Sequence, residues 1–381
     1  MDVSISNAQI VTTDAVVHGS LNTTSGQIGV VTENGSATDL PEHDWQGDYL
    51  IPGLIDIHTD NLEKHFMPRN NSPWDSVGAA VAHDGQVISA GVTTVFDSLS
   101  AHGQKGGFHR NEIFGQLISG LSEADHSSML KADHLLHIRC EVTNPELRNV
   151  VEQLAEHPKL KLLSVMDHTP GQGQWGDLSN YKKRLKEQGM SDAEVQSHID
   201  EVMGWRDLDA VDGNRNYIFS LGGKLGIPVA SHDDRCAEQV VTTRCQGGTI
   251  AEFPLTLEAA EQAKKENLWT VFGAPNFVRG GSHSGNVSVQ EVARAGWLDA
   301  LCSDYIPHSM IRSAFMLTEA PFHWSLPEAI KTVTAHPAAL AELDDRGQVA
   351  EGKRADFVRV RHRDGQWPVI KEVWVAGARV A

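Results

Sequence analysis

Short apolar runs rich in β-branched residues recur along most of this chain, and segments with helical spacing usually separate them. Strands that alternate with helices form a parallel sheet, because each connection crosses over in the same right-handed sense. About eight such units close into a barrel of roughly 250 residues or more. The sequence therefore predicts an α/β fold with a (β/α)8 barrel. The predicted barrel strands cover residues 54–58, 92–97, 135–140, 162–167, 227–231, 249–252, 270–273 and 300–303.

The two ends of the chain have a different pattern. Residues 4–11, 15–21 and 27–32 are short alternating runs broken by Asp, Gly and Asn, and similar runs return at 357–360, 369–375 and 378–381. Alternation between such turn residues is typical of short β strands. We therefore predict a small β-sandwich domain made of residues 1–52 and 346–381, and a catalytic barrel over residues 53–345.

One connection within the predicted barrel, residues 170–226, is too long for an ordinary loop. Ser191 and Glu194 form a capping-box pattern ahead of a helical run over residues 195–203. We expect a helical excursion that serves as a lid or as an oligomer contact.

Charge and composition restrict the partners of this chain. It has 32 Lys and Arg against 50 Asp and Glu, a formal charge of −18, which argues against sequence-independent binding to nucleic acid or to an anionic membrane. No apolar run reaches membrane-spanning length, and the first residues lack the features of a signal peptide. The four cysteines form no CxxC pair. We expect a cytoplasmic protein that acts on a small molecule and forms a homo-oligomer, most simply a dimer.

Residue types that bind metals stand at the ends of five predicted strands. Catalytic groups of such barrels come from the carboxyl ends of strands, so these side chains are expected to converge on one mouth. Mixed imidazole and carboxylate shells suit zinc or manganese-like ions better than calcium. Asp56 and Asp167 each precede a better candidate and are left open to a structural role. The predicted metal ligands are His58, Asp60, Glu141, His168, His232 and Asp304.

A second cluster is rich in glycine and in hydrogen-bond donors, and it covers residues 279–286. Glycines let backbone N–H groups approach an anion closely, and the side chains of Arg279, Ser282, His283 and Asn286 add donors. The pattern predicts a phosphate or pyrophosphate cradle, to which Lys64 adds positive charge. A flexible loop that needs its glycines only for turns is the alternative.

Three stretches resemble the amidohydrolase superfamily: Pro52-Gly53-Leu54-Ile55-Asp56-Ile57-His58, Gly91-Val92-Thr93-Thr94-Val95 and Gly352-Lys353-Arg354-Ala355-Asp356. Other stretches are similar to a narrower family, the ribose 1-methylphosphonate 5-triphosphate diphosphatases of the bacterial carbon-phosphorus lyase pathway. They are residues 58–64, 166–172, 231–234, 273–286 and 303–305. The superfamily usually has His-x-His on its first strand and a bridging carbamylated lysine. Here His58-x-Asp60 replaces the former, and Glu141 is the natural substitute for the latter.

The resemblance implies a metal-dependent hydrolase that cleaves a phosphoanhydride, releases pyrophosphate and leaves a 5-monophosphate. It implies one or two divalent ions per chain, with zinc as the first choice and manganese, iron or magnesium as alternatives. Asp304 is the expected general base, and Arg279 and His283 are expected to neutralise the leaving pyrophosphate. The alternatives are a cyclic amide hydrolase or deaminase on the same barrel, and a barrel that serves only as a scaffold.

Overall fold

The computed structural model describes residues 2–33, 35, 40–69, 72–102, 104–105, 108–204, 206–281 and 286–381. The strands are β1 (Ser4–Val11), β2 (Val16–Thr24), β3 (Gln27–Glu33), β4 (Glu42–Asp44), β5 (Tyr49–Pro52), β6 (Leu54–Thr59), β7 (Val92–Ala101), β8 (Gln104–Lys105), β9 (Phe108–His109), β10 (Asp133–Glu141), β11 (Leu160–Met166), β12 (Val229–His232), β13 (Ile250–Glu252), β14 (Trp269–Gly273), β15 (Ala300–Cys302), β16 (Phe357–Arg361), β17 (Val369–Val375) and β18 (Ala378–Arg379).

The helices are α1 (Asn61–Phe66), α2 (Ser76–Ser89), α3 (Arg110–His126), α4 (Leu147–Glu152), α5 (Leu178–Glu187), α6 (Asp192–Gly204), α7 (Leu208–Leu225), α8 (Ala237–Cys245), α9 (Leu257–Lys265), α10 (Ala274–Arg279), α11 (Val289–Arg294), α12 (Ser309–Thr318), α13 (Leu326–Lys331) and α14 (Ala335–Leu340). Among them, none is both long enough and apolar enough to cross a membrane, within the ranges that the structure describes.

Eight parallel strands form one sheet in the order β6, β7, β10, β11, β12, β13, β14 and β15. Its two ends meet. The Asp60 amide donates to the Asp304 carbonyl at 2.8 Å, and the Asp304 amide donates to the His58 carbonyl at 2.9 Å. Each strand overlaps one of the predicted barrel strands. The predicted α/β class with a (β/α)8 barrel is therefore confirmed.

Strands from both ends of the chain form the second large sheet. Its order is β18, β17, β16, β5, β1, β2 and β3, with β4 also beside β1. The two ends join where β5 pairs antiparallel with β16, with Pro52 opposite Phe357. Trp45, Phe357 and Trp374 pack together in the core of this sheet. The bounds of the two predicted domains, 1–52 plus 346–381 and 53–345, stay a prediction.

The long connection between β11 and β12 contains α5, α6 and α7 after a 3-10 turn at Gly173–Trp175. Ser191 and Glu194 cap α6 reciprocally: the Ser191 amide donates to the Glu194 carboxylate at 2.8 Å, and the Glu194 amide donates to the Ser191 hydroxyl at 3.4 Å. Arg206, which follows α6, donates to Asp167 at 2.8 Å. This ion pair ties the helical segment to the end of β11.

A buried polar network joins α2 to the outside of the barrel. Asp97 on β7 contacts His134 Nδ1 at 2.8 Å and His83 Nε2 at 2.9 Å, and all three side chains are buried. His134 also lies 3.4 Å from Asp84. None of these residues lines the cavity at the barrel mouth, so we assign the network to the packing of α2 on the barrel.

Candidate metal centre and substrate cavity

The six predicted metal ligands all lie at the carboxyl ends of barrel strands. Parallel strands place those ends at one mouth of the barrel, which is where such folds carry their chemistry. The nearest ligand atoms of His58, Asp60 and Asp304 lie within 4.8 Å of one another, and those of His168, His232 and Asp233 do the same. The His58 and His232 rings connect the two clusters, with centroids 5.7 Å apart.

Two of these imidazoles contact the same buried carboxylate, which the sequence did not predict as part of the site. Glu252, at the end of β13, contacts His58 Nδ1 and His232 Nδ1 at 2.7 Å each. Burial alone raises a carboxyl pKa, but the neighbouring imidazoles hold the pKa of Glu252 well below its usual range. Glu252 therefore accepts from both Nδ1 atoms as a carboxylate, which leaves both Nε2 atoms available to a metal.

Glu141 contacts a different histidine pair. Its Oε2 lies 3.0 Å from His168 Nδ1 and 3.3 Å from His102 Nδ1, and its carboxylate accepts from the His168 amide. Burial opposes ionisation, but these hydrogen bonds and charges lower the pKa of Glu141 to about 2. Its role as a carboxylate bridging two metals stays a prediction. Glu252 is the carboxylate that touches both His58 and His232.

Asp304 and Asp60 face each other across the seam where the barrel closes. Burial and the negative charge of Asp60 raise the pKa of Asp304 to about 6. Asp60 is held by Arg139, whose Nη2 lies 3.0 Å from its Oδ1. Asp304 has φ 54° and Asp233 has φ 64°, a left-handed conformation that costs energy and is common at functional sites. A carboxylate with a raised pKa is well suited to accept a proton near neutral pH.

The donor set at the mouth fits one or two divalent ions. It combines imidazole nitrogens with carboxylate oxygens, and Glu252 already orients two of the rings. Zinc and manganese accept such mixed shells, whereas calcium requires mainly oxygen.

A cavity of about 550 Å³ opens at this mouth. The predicted substrate-binding residues Lys64, Arg279 and Asn286 line it, and so does Arg139. Tyr305 connects two of the cations, because Lys64 Nζ lies 5.3 Å from the centre of its ring and Arg279 donates to its hydroxyl at 3.3 Å. The predicted donors Ser282 and His283 lie outside the described residues.

Several residues of the site were missed from the sequence. Glu252 ends a predicted strand, as the ligands do, so the same positional signal marks it. Arg139 lies two residues before the predicted ligand Glu141, and Tyr305 directly follows the predicted ligand Asp304. Nothing in the sequence pattern distinguished these two residues from ordinary neighbours of a ligand. The two carboxylates left open have structural contacts: Asp56 accepts from the Ser303 amide at 2.9 Å inside the barrel, and Asp167 pairs with Arg206.

The chain matches a known sequence along almost its whole length. The chain is 38% identical over 383 residues to the alpha-D-ribose 1-methylphosphonate 5-triphosphate diphosphatase of Escherichia coli (strain K12), which covers 99% of each chain. Residues 270–381 match the sequence model of an amidohydrolase family. A shorter stretch of 110 residues, 25% of each chain, is 32% identical to a dihydroorotase of Methanopyrus kandleri.

Solved structures share the architecture at low sequence identity. The N-acetylglucosamine-6-phosphate deacetylase from Pasteurella multocida superposes with a TM-score of 0.66 at 13% identity, covering 100% of both chains. The 5-methylcytosine deaminase from Klebsiella pneumoniae gives a TM-score of 0.65 at 14% identity, covering 100% of this chain and 97% of that one. At this identity the similarity establishes the fold alone.

Proposed function

We infer the function of this chain from the family to which it belongs, that of the alpha-D-ribose 1-methylphosphonate 5-triphosphate diphosphatase of Escherichia coli, because the two sequences are 38% identical over 99% of each chain. This chain is therefore a hydrolase of the amidohydrolase superfamily. It hydrolyses alpha-D-ribose 1-methylphosphonate 5-triphosphate to the 5-monophosphate and pyrophosphate, a step in phosphonate catabolism.

One observation of the structure carries this assignment beyond the sequence identity. Lys64, Arg139 and Arg279 line the same cavity as His58 and Asp304. Three carboxylates, Asp60, Asp233 and Asp304, line the cavity as well. A divalent ion held by these carboxylates would leave the cations in excess, which suits the binding of a polyphosphate. Such a cavity suits an anionic chain of phosphates better than a neutral cyclic amide, so this observation does not favour the amide hydrolase or deaminase alternative.

The reaction divides between proton transfer and charge neutralisation. A divalent ion held by His58, Asp60, Glu141, His168, His232 and Asp304 would lower the pKa of a bound water. Asp304 takes the proton from the water that attacks the α-phosphorus, because its carboxylate lines the cavity beside His58 and Asp60. The bond from the α-phosphorus to the bridging oxygen then breaks, and Arg279 and Lys64 neutralise the charge that develops on the departing pyrophosphate.

Three finer assignments belong to the same proposal. Zinc is the working ion, because the donor set mixes imidazole and carboxylate. The compartment is the cytoplasm, in keeping with four cysteines that form no disulfide. The assembly is a homodimer, which light scattering after size-exclusion chromatography measures directly. Metal analysis of the purified protein tests the assignment of zinc.

The activity is tested by phosphorus NMR. Purified, metal-loaded protein is incubated with ribose 1-methylphosphonate 5-triphosphate, and in parallel with ATP. We expect pyrophosphate and the 5-monophosphate from the first substrate, with loss of turnover in His58→Ala. A protein that contains metal but produces no phosphorus chemistry would contradict the proposed function and favour the amide hydrolase or deaminase.

The role of the cationic side of the cavity is tested separately. Arg279→Ala is expected to reduce turnover of the triphosphate by about 100-fold, the typical effect of removing one transition-state donor. Metal content should stay unchanged, because Arg279 donates to the Tyr305 hydroxyl and not to a predicted metal ligand. Equal losses of turnover and metal would show that Arg279 supports the metal centre instead.

A further inference from the structure

The cavity has a second lobe that the proposed reaction does not use. This second lobe encloses about 380 Å³ and shares Asp60, Lys64, Arg139, His168 and Gln174 with the cavity already described. Its own walls come from α1, from the end of β7 and from the helical segment after β11. Apart from His58 on β6, the walls that belong only to the first cavity come from β12 to β15 and the residues after them. The two lobes therefore extend from the metal ligands toward opposite halves of the barrel mouth.

One cation in the second lobe is held on an aromatic surface. The guanidinium of Arg184 on α5 lies 4.9 Å from the centre of the Trp175 ring. Trp175 is itself buried and packs on Tyr181, with ring centroids 5.2 Å apart. Stacking restricts the guanidinium to the plane above the indole without using its N–H donors, which stay available to a ligand.

Apolar surface stands beside this cation. Met67, just after α1, and the indole of Trp175 both line the second lobe. A thioether and an indole present carbon and sulfur surface that gains from covering a small apolar group. Two carboxylates also line this lobe, but Asp60 pairs with Arg139 at 3.0 Å and Glu63 accepts from the Ser100 amide at 3.3 Å. The second lobe therefore combines the Arg184 cation with an apolar wall.

This inference rests on the proposed function, whose substrate carries a charged group at each end. The triphosphate at C5 bears several negative charges and needs several cations. The methylphosphonate ester at C1 bears one negative charge and a methyl group where a phosphate would have another oxygen. The lobe with Arg279 and its Tyr305 contact suits the first end. The lobe with Arg184 and Met67 suits the second.

We propose that the second lobe binds the methylphosphonate group of the substrate, with Arg184 on its anionic oxygen and Met67 and Trp175 against its methyl group. The pyrophosphate to be released then lies on the opposite side, against Arg279. The second lobe thereby selects ribose esters of alkylphosphonates over other 5-triphosphates.

The test compares two substrates that differ only at C1: ribose 1-methylphosphonate 5-triphosphate and ribose 5-triphosphate. We expect the wild-type enzyme to prefer the first by at least about tenfold in kcat/KM, the effect of one hydrogen bond to a charged group. Arg184→Gln should raise the KM for the first substrate by about tenfold and leave both constants for the second within about twofold. Arg184→Lys, which keeps the charge, should recover part of the lost affinity.

Lys183→Gln is the matched control, because Lys183 is an exposed cation on the same helix that lines neither lobe. We expect it to change neither substrate's constants. An equal rise of KM for both substrates in Arg184→Gln would place Arg184 on the triphosphate and overturn the proposal. Unchanged constants for both, or a wild-type enzyme that does not distinguish them, would also overturn it. Failure of the proposed function looks different: wild-type protein would release pyrophosphate from neither substrate.

Discussion

Glu252 orients the imidazoles of His58 and His232 at once. The positions of the two histidines do not by themselves determine which ring nitrogen is available to a metal. A histidine binds a metal through one nitrogen, and the hydrogen bond on its other nitrogen decides which one is available. Here the same buried carboxylate accepts from Nδ1 of His58 and of His232. Both rings are thereby fixed with Nε2 toward the other candidate ligands, 3.7 Å from Asp60 for His58 and 3.8 Å from Asp233 for His232.

We expect Glu252→Gln to weaken metal binding by about 10- to 100-fold, the usual effect of losing a partner behind a ligand. A glutamine offers one carbonyl oxygen and one NH2 group, so it cannot accept from both rings through equivalent atoms. Metal retained after dialysis against graded chelator concentrations measures the effect. Glu261→Gln, on the exposed part of α9, is the control, and equal retention in both variants would contradict the orienting role.

At the scale of elements, the helical segment after β11 closes over one side of the cavity. Asp167 and His168 are neighbours at the end of β11, but their contacts differ. Asp167 forms an ion pair with Arg206, which follows α6 in the chain. His168 contacts Glu141 and packs beside His232 at the barrel mouth. Asp167 therefore holds the helical segment, and His168 belongs to the candidate metal centre.

This difference predicts opposite effects of two adjacent substitutions. Asp167→Asn should leave metal content unchanged and speed proteolytic cleavage within residues 170–226 by about fivefold, because a half-buried ion pair that restrains the segment is lost. His168→Asn should lower metal content instead. Limited proteolysis and metal analysis of both variants measure this, with Asp192→Asn, from the exposed pair with Lys186, as the control. Cleavage as slow in Asp167→Asn as in the wild type would show that other contacts hold the segment.

At the scale of the whole molecule, Asp133 joins the barrel to the segment that leads into the terminal sheet. This residue begins β10, and its Oδ2 contacts Arg346 at 2.7 Å and Arg354 at 3.2 Å. Its Oδ1 contacts Lys159 at 3.1 Å. Burial opposes ionisation, but the hydrogen bond from Arg346 and the surrounding cations lower the pKa of Asp133 to about 2.

We expect Asp133→Asn to lower the free energy of unfolding by about 2 kcal/mol at pH 7, because two partly buried guanidinium groups each lose one of their two carboxylate partners. Asp125→Asn, whose carboxylate contacts the same Lys159 from an exposed position, should cost less than about 0.5 kcal/mol. Urea unfolding measures both. Equal losses in the two variants would show that the junction adds nothing beyond a surface ion pair.

The difference in unfolding free energy between wild type and Asp133→Asn should decrease as the pH falls. The folded-state pKa of Asp133 is lowered, so its contribution is complete above the unfolded value of 3.8 and is lost as pH falls through about 2. The gap in unfolding free energy between wild type and Asp133→Asn should therefore be constant above about pH 4 and close below it. A gap that widens on acidification would exclude this ion pair as its source.

The sequence by itself determined the barrel, the strands at both termini and the positions of six candidate ligands. Strand periodicity and strand ends depend on neighbouring residues along the chain, so they are visible without a structure. Only the tertiary structure decided which side chains touch. Glu252 meets His58 across 194 residues, Asp304 closes the barrel against His58 and Asp60, and Arg184 forms one wall of the second lobe with Met67 and Trp175. Such contacts depend on how distant strands and helices pack, and no local pattern records that packing.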